Sequence, residues 1–489
     1  MSFDSLGQFV QFLEERKNLV RIKHEVDPHL EMTEIVDRVV KARGPALLFE
    51  KVKGSDFPLL TNHYGSYDRM SWALGVEDLE EHGRTIRDLL KTQPPASLWE
   101  KLKFLPKLIE MGGFSPKVST DPAPCQEVVL KGDEIDITKL PVQFCWPKDG
   151  GPFITLPIVI TKDPDTGARN VGMYRMQVYD RQTTGMHWQV HKTGQRHMRR
   201  AKELGRKVEV AVALGGDPAL TYCATAPMPD GIDEFLLAGF LRKKSVRLVK
   251  AKTVDLEVPA DADFVLEGYV DPEEPMRIEG PFGDHTGYYS PADPYPVFHV
   301  TAIMRRRNAI YPSTIVGPPP MEDEFLGKAT ERIFLPMIQM VHSEIVDYNL
   351  PVEAAFHNLA IVAMKKQYPF HARKLFQSIW GTGGMMFTKC IIAVDEDVNV
   401  HDLKEVAWRV FANIDPKRDI VFSEGPTDAL DHAPNEANYS TKIGVDATAK
   451  WPEEGYTRGW PEVARMDEAT KKRVDEIWPQ LGIVLGGRR

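Results

Sequence analysis

The chain has 489 residues, of which 42% are hydrophobic and 27% charged, and its 61 basic and 70 acidic side chains give a net charge of −9. This composition is that of a globular protein with about three domains. The acidic balance argues against general nucleic-acid binding, which needs a basic surface, and no apolar run reaches the roughly 18 residues of a membrane span.

The N-terminal residues and the spacing of the cysteines both favour a cytoplasmic location. The first residues, Met-Ser-Phe-Asp-Ser, lack the basic segment and apolar core of a secretion signal. The cysteines show no CxxC spacing, so neither a disulfide framework nor a thiolate zinc site is expected, and we predict buried thiols in a reducing compartment. These cysteines are Cys125, Cys145, Cys223 and Cys390.

Residues 1–115 are predicted to form a small α/β domain. Apolar residues recur at helical spacing in two segments, the first with Asp4 or Ser5 available as an N-cap. A Gly-Pro pair ends the second helical segment, and a short apolar run follows it. The predicted elements are helices over 6–13, 35–40 and 101–111 and a strand over Ala46–Phe49.

Residues 116–316 change character and are dense in strand-like runs with Gly, Pro and Asp turns between them. Several runs alternate apolar and polar residues with a period of two, as half-buried strands do. We therefore predict a partly closed, mostly antiparallel barrel, interrupted by one helix over 232–241. The predicted strands are 154–161, 171–178, Val208–Leu214, 246–258, Phe264–Val270 and 297–304.

Residues 317–489 alternate between helical and strand patterns, which is typical of βαβ units around a parallel or mixed sheet. Pro318–Pro320 at the start of this region is interpreted as a rigid turn between domains. The predicted elements are helices over 324–345, His371–Trp380 and 403–411, strands over Leu359–Met364, 389–394 and 420–422, and a tail helix over 467–481.

The segment 277–289 carries the most unusual pattern in the chain. Three glycines and a proline fix an irregular backbone there, and two carboxylates, Glu279 and Asp284, lie within seven residues of His285. A rigid loop that bears titratable groups favours proton-transfer chemistry. The alternative is a tight hairpin with surface charges.

A second candidate is the strand around Asn170 and Arg175. Residues at even offsets share a strand face, so Asn170 and Tyr174 are predicted on one face and Met173 and Arg175 on the other. Such a strand could serve two sites or the two ends of one extended ligand. The alternative is a barrel strand with one exposed arginine.

Metal and phosphate sites are suggested more weakly. His187 and His191 have the spacing of a helical metal pair, but without HExxH we do not expect zinc proteolysis. His191 with a distant carboxylate could bind Mn²⁺ or Mg²⁺. Glu234, in a first helical turn, is equally explained by the helix dipole. The basic run 196–207 and Lys389 could meet a phosphate or simply face solvent.

Together these segments resemble the UbiD family of prenylated-flavin-dependent decarboxylases over nearly the whole chain, most closely its 4-hydroxy-3-polyprenylbenzoate branch. The matching motifs are Asn170-Val-Gly-Met-Tyr-Arg175, Trp188-Gln-Val-His191, Ala213-Leu-Gly-Gly-Asp-Pro218, Glu279-Gly-Pro-Phe-Gly-Asp284-His-Thr-Gly-Tyr-Tyr289, Lys365-Lys-Gln-Tyr368, Phe387-Thr-Lys389 and Asp446-Ala-Thr-Ala-Lys-Trp-Pro452.

The resemblance implies a cofactor, prenylated FMN, held in a split barrel with its phosphate bridged by a divalent metal, usually Mn²⁺, and with K⁺ nearby. It implies Asn170, His191 and Glu234 as metal ligands. The cofactor contacts that it implies are Met173, Tyr174, Arg175, His187, Trp188, Gln189, Lys192, Thr193 and Lys389. At Lys192-Thr193 the chain departs from the family, where related sequences often have Arg-Gly.

The resemblance also implies a catalytic set of Arg175, Glu279 and Asp284. Expelling CO₂ from an sp² carbon needs an electron sink that no side chain provides, so a cofactor is required. Arg175 would clamp the substrate carboxylate, Glu279 would hold the guanidinium, and Asp284 would return the proton. That role predicts a protonated Asp284 with a pKa raised by burial or by a nearby carboxylate.

The predicted function is therefore non-oxidative decarboxylation of an aromatic acid, with 4-hydroxy-3-polyprenylbenzoate of ubiquinone synthesis as the expected substrate. A menaquinone-pathway naphthoate or a small phenolic or unsaturated acid fits nearly as well. A metal-dependent hydrolase or a non-catalytic flavin carrier are more distant alternatives. The expected partners are a flavin prenyltransferase as cofactor supplier and further copies of the chain, and a polyprenyl substrate would imply peripheral attachment to the inner membrane face.

Overall fold

The computed structural model describes residues 2–91, 113–229 and 231–483. Helices and strands alternate along these residues, which confirms the predicted mixed α/β class. The predicted helix over 101–111 lies outside the described residues. Within them, no helix combines the length and the apolar character that crossing a membrane requires.

The described part of the N-terminal region, residues 2–91, packs four helices beside a small sheet. The first helix begins after Ser5, whose hydroxyl accepts a hydrogen bond from the Gln8 N–H, so Ser5 rather than Asp4 is the N-cap. Its predicted apolar face is buried. The elements are α1 Leu6–Glu15, β1 Leu19–Ile22, α2 Glu31–Lys41, β2 Ala46–Phe49, β3 Leu59–Thr61, α3 Tyr67–Ala73 and α4 Glu80–Lys91.

The central region is built on an antiparallel sheet. Its strands are β4 Lys117–Val118, β5 Val128–Lys131, β6 Phe153–Ile154, β7 Ile158–Lys162, β8 Arg169–Gly172, β9 Met176–Gln177, β10 Thr183–Gly185, β11 Val208–Leu214, β12 Arg247–Lys250, β13 Glu257–Pro259, β14 Phe264–Val270, β15 Arg277–Glu279, β16 Phe282–Gly283, β17 Tyr289–Ser290, β18 Asp293–Tyr295, β19 Val297–Arg305 and β20 Tyr311–Pro312. Its helices are α5 Thr193–Glu203, α6 Pro218–Cys223 and α7 Glu234–Arg242.

The main sheet has the order β10-β19-β14-β11-β7-β8, with β5 also paired to β19, and neighbouring strands are antiparallel. Among the described strands, the end strands β10 and β8 do not pair with each other. The antiparallel pairing is as predicted, and closure into a split barrel stays a prediction.

Strand β11 shows how the sheet divides the hydrophobic core. Its valines and its terminal leucine pack in one cluster with α2, whereas Ala211 and Ala213 pack in another that includes α1, α3 and α4. Only Glu209 of this strand is exposed. The alternation predicted a half-buried strand, but both faces are covered, since each face belongs to its own hydrophobic cluster.

The C-terminal region forms a five-stranded mixed sheet in the order β21-β22-β23-β25-β24, with parallel pairs at its centre and antiparallel pairs at both edges. This confirms the predicted mixed sheet. Its elements are α8 Asp323–Val341, β21 Ile345–Asn349, β22 Leu359–Met364, α9 His371–Trp380, β23 Cys390–Asp395, α10 Leu403–Asn413, α11 Pro416–Asp419, β24 Ile420–Pro426, β25 Tyr439–Asp446 and α12 Glu468–Ile477.

Two elements of this region differ from the sequence prediction. Helix α8 ends at Val341, and Ile345, predicted as its last residue, instead begins β21. Strand β25 was not predicted, because its exposed residues are polar and its place in the sheet comes from pairing with β23 and β24. The tail helix ends at Ile477, and none of its residues is buried.

Candidate active site

A cavity of about 250 Å³ opens between the central and C-terminal regions. Six of the predicted cofactor contacts and the predicted acid Asp284 lie in its wall. Asp428 and Leu430, from the loop between β24 and β25, close its far side and had no sequence pattern to mark them. The lining residues are Thr155, Met173, Tyr174, Arg175, His187, Gln189, Lys192, Phe282, Asp284, His285, Thr314, Val316, Asp428 and Leu430.

The strand that was predicted to carry Arg175 ends before that residue. Strand β8 stops at Gly172, and the Met173 N–H then donates to the Ala224 carbonyl. A Cβ on Gly172 would lie 2.4 Å from the Tyr174 hydroxyl, so the tyrosine ring folds back over the glycine. Met173, Tyr174 and Arg175 therefore all line the cavity, and the prediction that Tyr174 and Arg175 face apart was wrong.

Arg175 is the centre of a buried ion network. Its Nε and Nη2 donate to the two carboxylate oxygens of Glu279 at 2.8 and 3.1 Å, and its Nη1 donates to Asp284. The Ser290 hydroxyl accepts a further hydrogen bond from Nη2 at 3.0 Å. The Arg175 side chain is 9% exposed and that of Glu279 fully buried. The structure thus brings together the three side chains that were predicted to be catalytic.

Two short hairpins hold the acids in this network. Strand β15, which ends at Glu279, pairs with β18, and strand β16 pairs with β17 immediately before Asp284. Gly283 lies against Trp146, where a Cβ would come within 2.1 Å of the indole. The irregular loop predicted from the glycines is therefore a fixed scaffold, and its carboxylates point inward rather than to solvent.

The electrostatics of the two acids differ from the prediction. Burial would raise the pKa of Asp284, but the Arg175 guanidinium and the hydrogen bond from His285 outweigh it and lower that pKa below its ordinary value. The pKa of Glu279 is likewise lowered, because His187 and Arg175 outweigh its burial. The expectation that Asp284 has a raised pKa was wrong for this arrangement, since the predicted neighbouring carboxylate is neutralised by Arg175.

A second cavity, of about 280 Å³, lies at the other end of the same segment. It is lined by Asn170, by Glu234 at the start of α7, and by Thr193 at the start of α5. Arg175 and Asn170 therefore line two different cavities, and whether these are two sites or the two ends of one extended ligand stays a prediction. The complete lining is Asp163, Thr166, Ala168, Arg169, Asn170, Thr193, Arg196, His197, Met228, Pro229, Gly231, Ile232 and Glu234.

The residues around the second cavity fit a bound phosphate. Helix α5 begins there with no side-chain cap on Lys192, so the positive end of its dipole faces the cavity without a capping side chain. The buried Asn170 Nδ2 has no hydrogen-bond partner in the described part of the chain. Burial raises the pKa of Glu234 to about 7, and a bound cation would stabilise its ionised form. Its carboxylate also accepts the Val171 N–H at 2.9 Å.

Three predicted contacts lie outside both cavity walls. His191 is exposed in a turn, with its ring 5.4 Å from that of Phe387, so the predicted metal set with Asn170 and Glu234 is not assembled here. Trp188 is buried behind the wall against Gly194. Lys389 pairs with Asp431 at 2.6 Å. Across the described ranges, no group of three or more His, Cys, Asp or Glu side chains is placed to hold a metal ion.

Comparison with known proteins places this geometry in a family. The chain matches the 3-octaprenyl-4-hydroxybenzoate carboxy-lyase N-terminal domain over residues 10–104, the Rift-related domain over 116–319 and the C-terminal domain over 324–447. An uncharacterized protein of Archaeoglobus fulgidus is 55% identical over 483 residues, which are 98% of this chain and 99% of the relative.

Several solved structures are similar to this chain over nearly its whole length. Vanillic acid decarboxylase of Sedimentibacter hydroxybenzoicus, in closed form, is 26% identical with a TM-score of 0.85, covering 98% of this chain and 99% of its own. The UbiD-class enzyme HmfF of Pelotomaculum thermopropionicum, in complex with FMN, is 29% identical with a TM-score of 0.78, covering 95% and 99%. An evolved dimeric form of HmfF in complex with prFMN is 28% identical with a TM-score of 0.76, covering 96% and 99%.

The predicted resemblance is thereby confirmed, since the family models cover most of the chain and a relative more than half identical covers nearly all of it. The network of Arg175, Glu279 and Asp284 lies within the part that matches the Rift-related domain. The chain belongs to the UbiD family of prenylated-FMN-dependent carboxy-lyases.

Proposed function

We propose that this protein decarboxylates a 4-hydroxybenzoate, with 4-hydroxy-3-polyprenylbenzoate of ubiquinone synthesis as the physiological substrate. The observation that carries the proposal is the buried Arg175, held by two acids in the wall of a cavity that also presents apolar surface from Phe282, Val316 and Leu430. A fixed cation in such a wall recognises a carboxylate attached to an aromatic ring.

In the proposed mechanism, the chain binds and orients the acid and returns a proton. Arg175 holds the substrate carboxylate, and Glu279 keeps the guanidinium in place through two hydrogen bonds. Phe282 packs over that guanidinium, with 4.6 Å between the ring centroid and Cζ, and limits water access. Asp284 lies beside Arg175, where a carboxyl group would deliver a proton to the carbon that loses CO₂.

Prenylated FMN, when bound, supplies the electron sink that makes the leaving of CO₂ from an sp² carbon feasible. We propose that Met173, Tyr174, His187, Gln189 and Lys192 contact its ring system and that Thr193 and the start of α5 meet its phosphate. Trp188 and Lys389 are proposed as further contacts. Asn170, His191 and Glu234 are proposed to hold a divalent cation, Mn²⁺ or Mg²⁺, at that phosphate, with K⁺ nearby.

The proposed metal set predicts a loss of flavin retention in two variants. We expect Glu234→Gln and His191→Ala to weaken retention of Mn²⁺ and of the flavin by about tenfold or more, because each removes a ligand of the bridging cation. Flavin absorbance and metal content after desalting measure the effect. Glu203→Gln, at the exposed end of α5, is the matched control. Unchanged retention in both variants would contradict the metal assignment.

The leading proposal and its nearest alternative differ in the group at position 3 of the substrate. Vanillic acid decarboxylase, similar in fold at 26% identity, favours a small phenolic acid as the second candidate. 4-Hydroxy-3-polyprenylbenzoate and vanillic acid share a 4-hydroxybenzoate core and differ in the size of the group at position 3. A menaquinone-pathway naphthoate is a third candidate, whereas a metal-dependent hydrolase would leave Arg175 and its acids without a role.

A substrate series tests the proposal. The chain is co-produced with a flavin prenyltransferase, its proposed cofactor supplier, and CO₂ release is measured with 4-hydroxybenzoates that carry hydrogen, methoxy, prenyl or polyprenyl groups at position 3. The highest kcat/KM is expected for the polyprenyl acid. A maximum at methoxy would instead assign a small phenolic acid, and no release from any aromatic acid would refute the proposed reaction.

Assembly and membrane contact are part of the same proposal. We propose a homo-oligomer, because the described tail helix α12 buries none of its residues within the chain and exposed aromatic side chains lie on α10 and β24. Peripheral contact with a membrane follows only if the substrate carries a polyprenyl tail, so co-sedimentation with vesicles that contain the substrate tests that point.

A further inference from the structure

The carboxylate of Glu279 is held by more than Arg175. Among the described residues, two side chains lie within hydrogen-bond distance of it, Arg175 and His187. His187 Nδ1 lies 3.0 Å from Oε2, the oxygen that also accepts a hydrogen bond from Arg175 Nη2. The Glu279 side chain is fully buried, and that of His187 is 10% exposed. His187 is therefore placed to hold the acid that in turn holds the arginine.

The surroundings of His187 fix which of its ring nitrogens carries the proton. Burial opposes the ionised form of Glu279, but His187 and Arg175 outweigh it and lower the pKa of this acid. An ionised carboxylate only accepts hydrogen bonds, so the contact needs a proton on His187 Nδ1. Burial and the charge of Arg175 lower the pKa of His187, so the ring is neutral and its Nε2 carries a lone pair.

The side chain of Gln189 agrees with this proton position. Its Nε2 lies 3.3 Å from His187 Nε2. A proton on the ring Nε2 would place two N–H groups face to face, whereas a lone pair there accepts the amide N–H. His187 thus sets the orientation of the Gln189 amide, and Oε1 is the amide atom that remains for a hydrogen-bond donor of a ligand. Both side chains lie in the cavity wall.

The imidazole is held in this orientation from a second side. Its ring packs on that of Tyr295, with 4.3 Å between centroids and 32° between planes. Tyr295 is the last residue of β18, which pairs with β15, the strand that ends at Glu279. One hairpin therefore provides both the carboxylate that His187 contacts and the ring on which it packs.

The backbone of His187 is joined to that of Arg175. The His187 N–H donates to the Arg175 carbonyl at 3.3 Å. The contacts from the guanidinium to Glu279, from Glu279 to the imidazole, and from one backbone to the other thus form a closed ring. Buried polar networks whose members are satisfied are rigid. Such a ring restricts the guanidinium to one position.

We propose that His187 is a positioning residue of the decarboxylase, which orients Glu279 and through it Arg175, and which sets the Gln189 amide so that its Oε1 meets the ligand. The inference rests on the proposed function, in which Arg175 binds the substrate carboxylate. It goes beyond the proposed contact of His187 with the flavin, because the imidazole acts here through Glu279 and Gln189.

Nitrogen-15 NMR of the histidine side chains in the flavin-free protein at pH 7 tests the proton position without any turnover. The signals of His187 are assigned by their loss in His187→Asn. We expect Nδ1 to be protonated and Nε2 to be unprotonated. A proton on Nε2, in place of the one on Nδ1 or in addition to it, would overturn the proposal, whether or not the loaded protein releases CO₂.

Two variants of the flavin-loaded protein separate the polar contacts of His187 from its packing. Leucine removes both ring nitrogens, whereas asparagine can carry an amide N–H at the position of Nδ1. We expect His187→Leu to lower kcat/KM by about ten- to hundredfold, because a hydrogen bond to a buried charged group is lost. His187→Asn is expected to recover most of that loss. The substrate is the acid with the highest kcat/KM in the 3-substituted series.

His299→Leu is the matched control for these variants. His299 also pairs with a glutamate, Glu274, and stacks on a tyrosine, Tyr269, but it is not among the residues that line the cavity. We expect its kcat/KM to be unchanged. Rates are compared at equal flavin content, so that a difference in cofactor loading does not enter the comparison.

The pH profile gives a result that a loss of packing alone would not. Glu279 must be ionised to hold Arg175, so activity is lost as the pH falls through the pKa of this acid. Removing the hydrogen bond from His187 raises that pKa, so the acid limb of kcat/KM is expected at a higher pH in His187→Leu than in His187→Asn. The other groups around Glu279 are the same in both variants, namely Arg175, Asp284, Tyr179, Tyr295 and its register partner Asp293.

Two kinetic results would also overturn the positioning role. One is a kcat/KM of His187→Leu equal to that of the His299→Leu control. The other is an equal loss in His187→Leu and His187→Asn with no shift of the acid limb between them, since the imidazole would then only fill space.

Discussion

Replacing Asp284 by asparagine is expected to lower kcat for decarboxylation by about 10²- to 10⁴-fold while the protein still binds flavin. Asparagine fills the same space beside Arg175 but has no carboxyl proton to give to the product carbon. The variant also removes the negative charge that raises the pKa of His285. CO₂ release and flavin absorbance, measured on the same preparation, give the two results.

Asp293→Asn is the matched control for this variant. It makes the same chemical change at an exposed position of β18, a short distance along the chain. The control is expected to retain full activity. Turnover of Asp284→Asn at the rate of the control would show that the proton reaches the product by another route.

Replacing Glu279 by glutamine is expected to lower kcat/KM by roughly a hundredfold, because loss of one charge from a buried ion pair costs about 3 kcal/mol and each 1.36 kcal/mol is a factor of ten. Glutamine keeps the shape but leaves the guanidinium of Arg175 with Asp284 as its remaining anionic partner in the network. It also removes the acceptor of the His187 Nδ1 contact, at 3.0 Å. Initial rates over a range of substrate concentrations, with the flavin content matched, measure the loss.

The control for Glu279→Gln is Glu274→Gln, which changes a partly exposed carboxylate that pairs with His299. We expect its kcat/KM to be unchanged. If Glu279→Gln also retained its kcat/KM, the carboxylate would not be needed to position Arg175, and the arginine would be held by Asp284 and Ser290 alone.

Much of the local structure could be predicted because it depends on residues that are close in the chain. The apolar periodicity located α1, and the boundaries of β11, β22 and α9 were predicted as the structure has them. The loop with Glu279 and Asp284 was predicted as a rigid carrier of acids from its glycines and proline alone. The prediction was wrong at β21 and β25, where pairing with distant strands decides the secondary structure. It was also wrong after Gly172, where the strand ends without a turn residue that marks its end.

The sequence by itself determined the family, the mixed fold and the identity of the two acids that contact Arg175, because short motifs and hydrophobic periodicity are properties of neighbouring residues. Tertiary structure alone decided the direction of the Asp284 pKa, the contact of His285 with His357, and the closing of the cavity by Asp428 and Leu430. The physical reason is that electrostatic and hydrogen-bond energies depend on distances of a few ångströms in space, which separation along the chain does not specify.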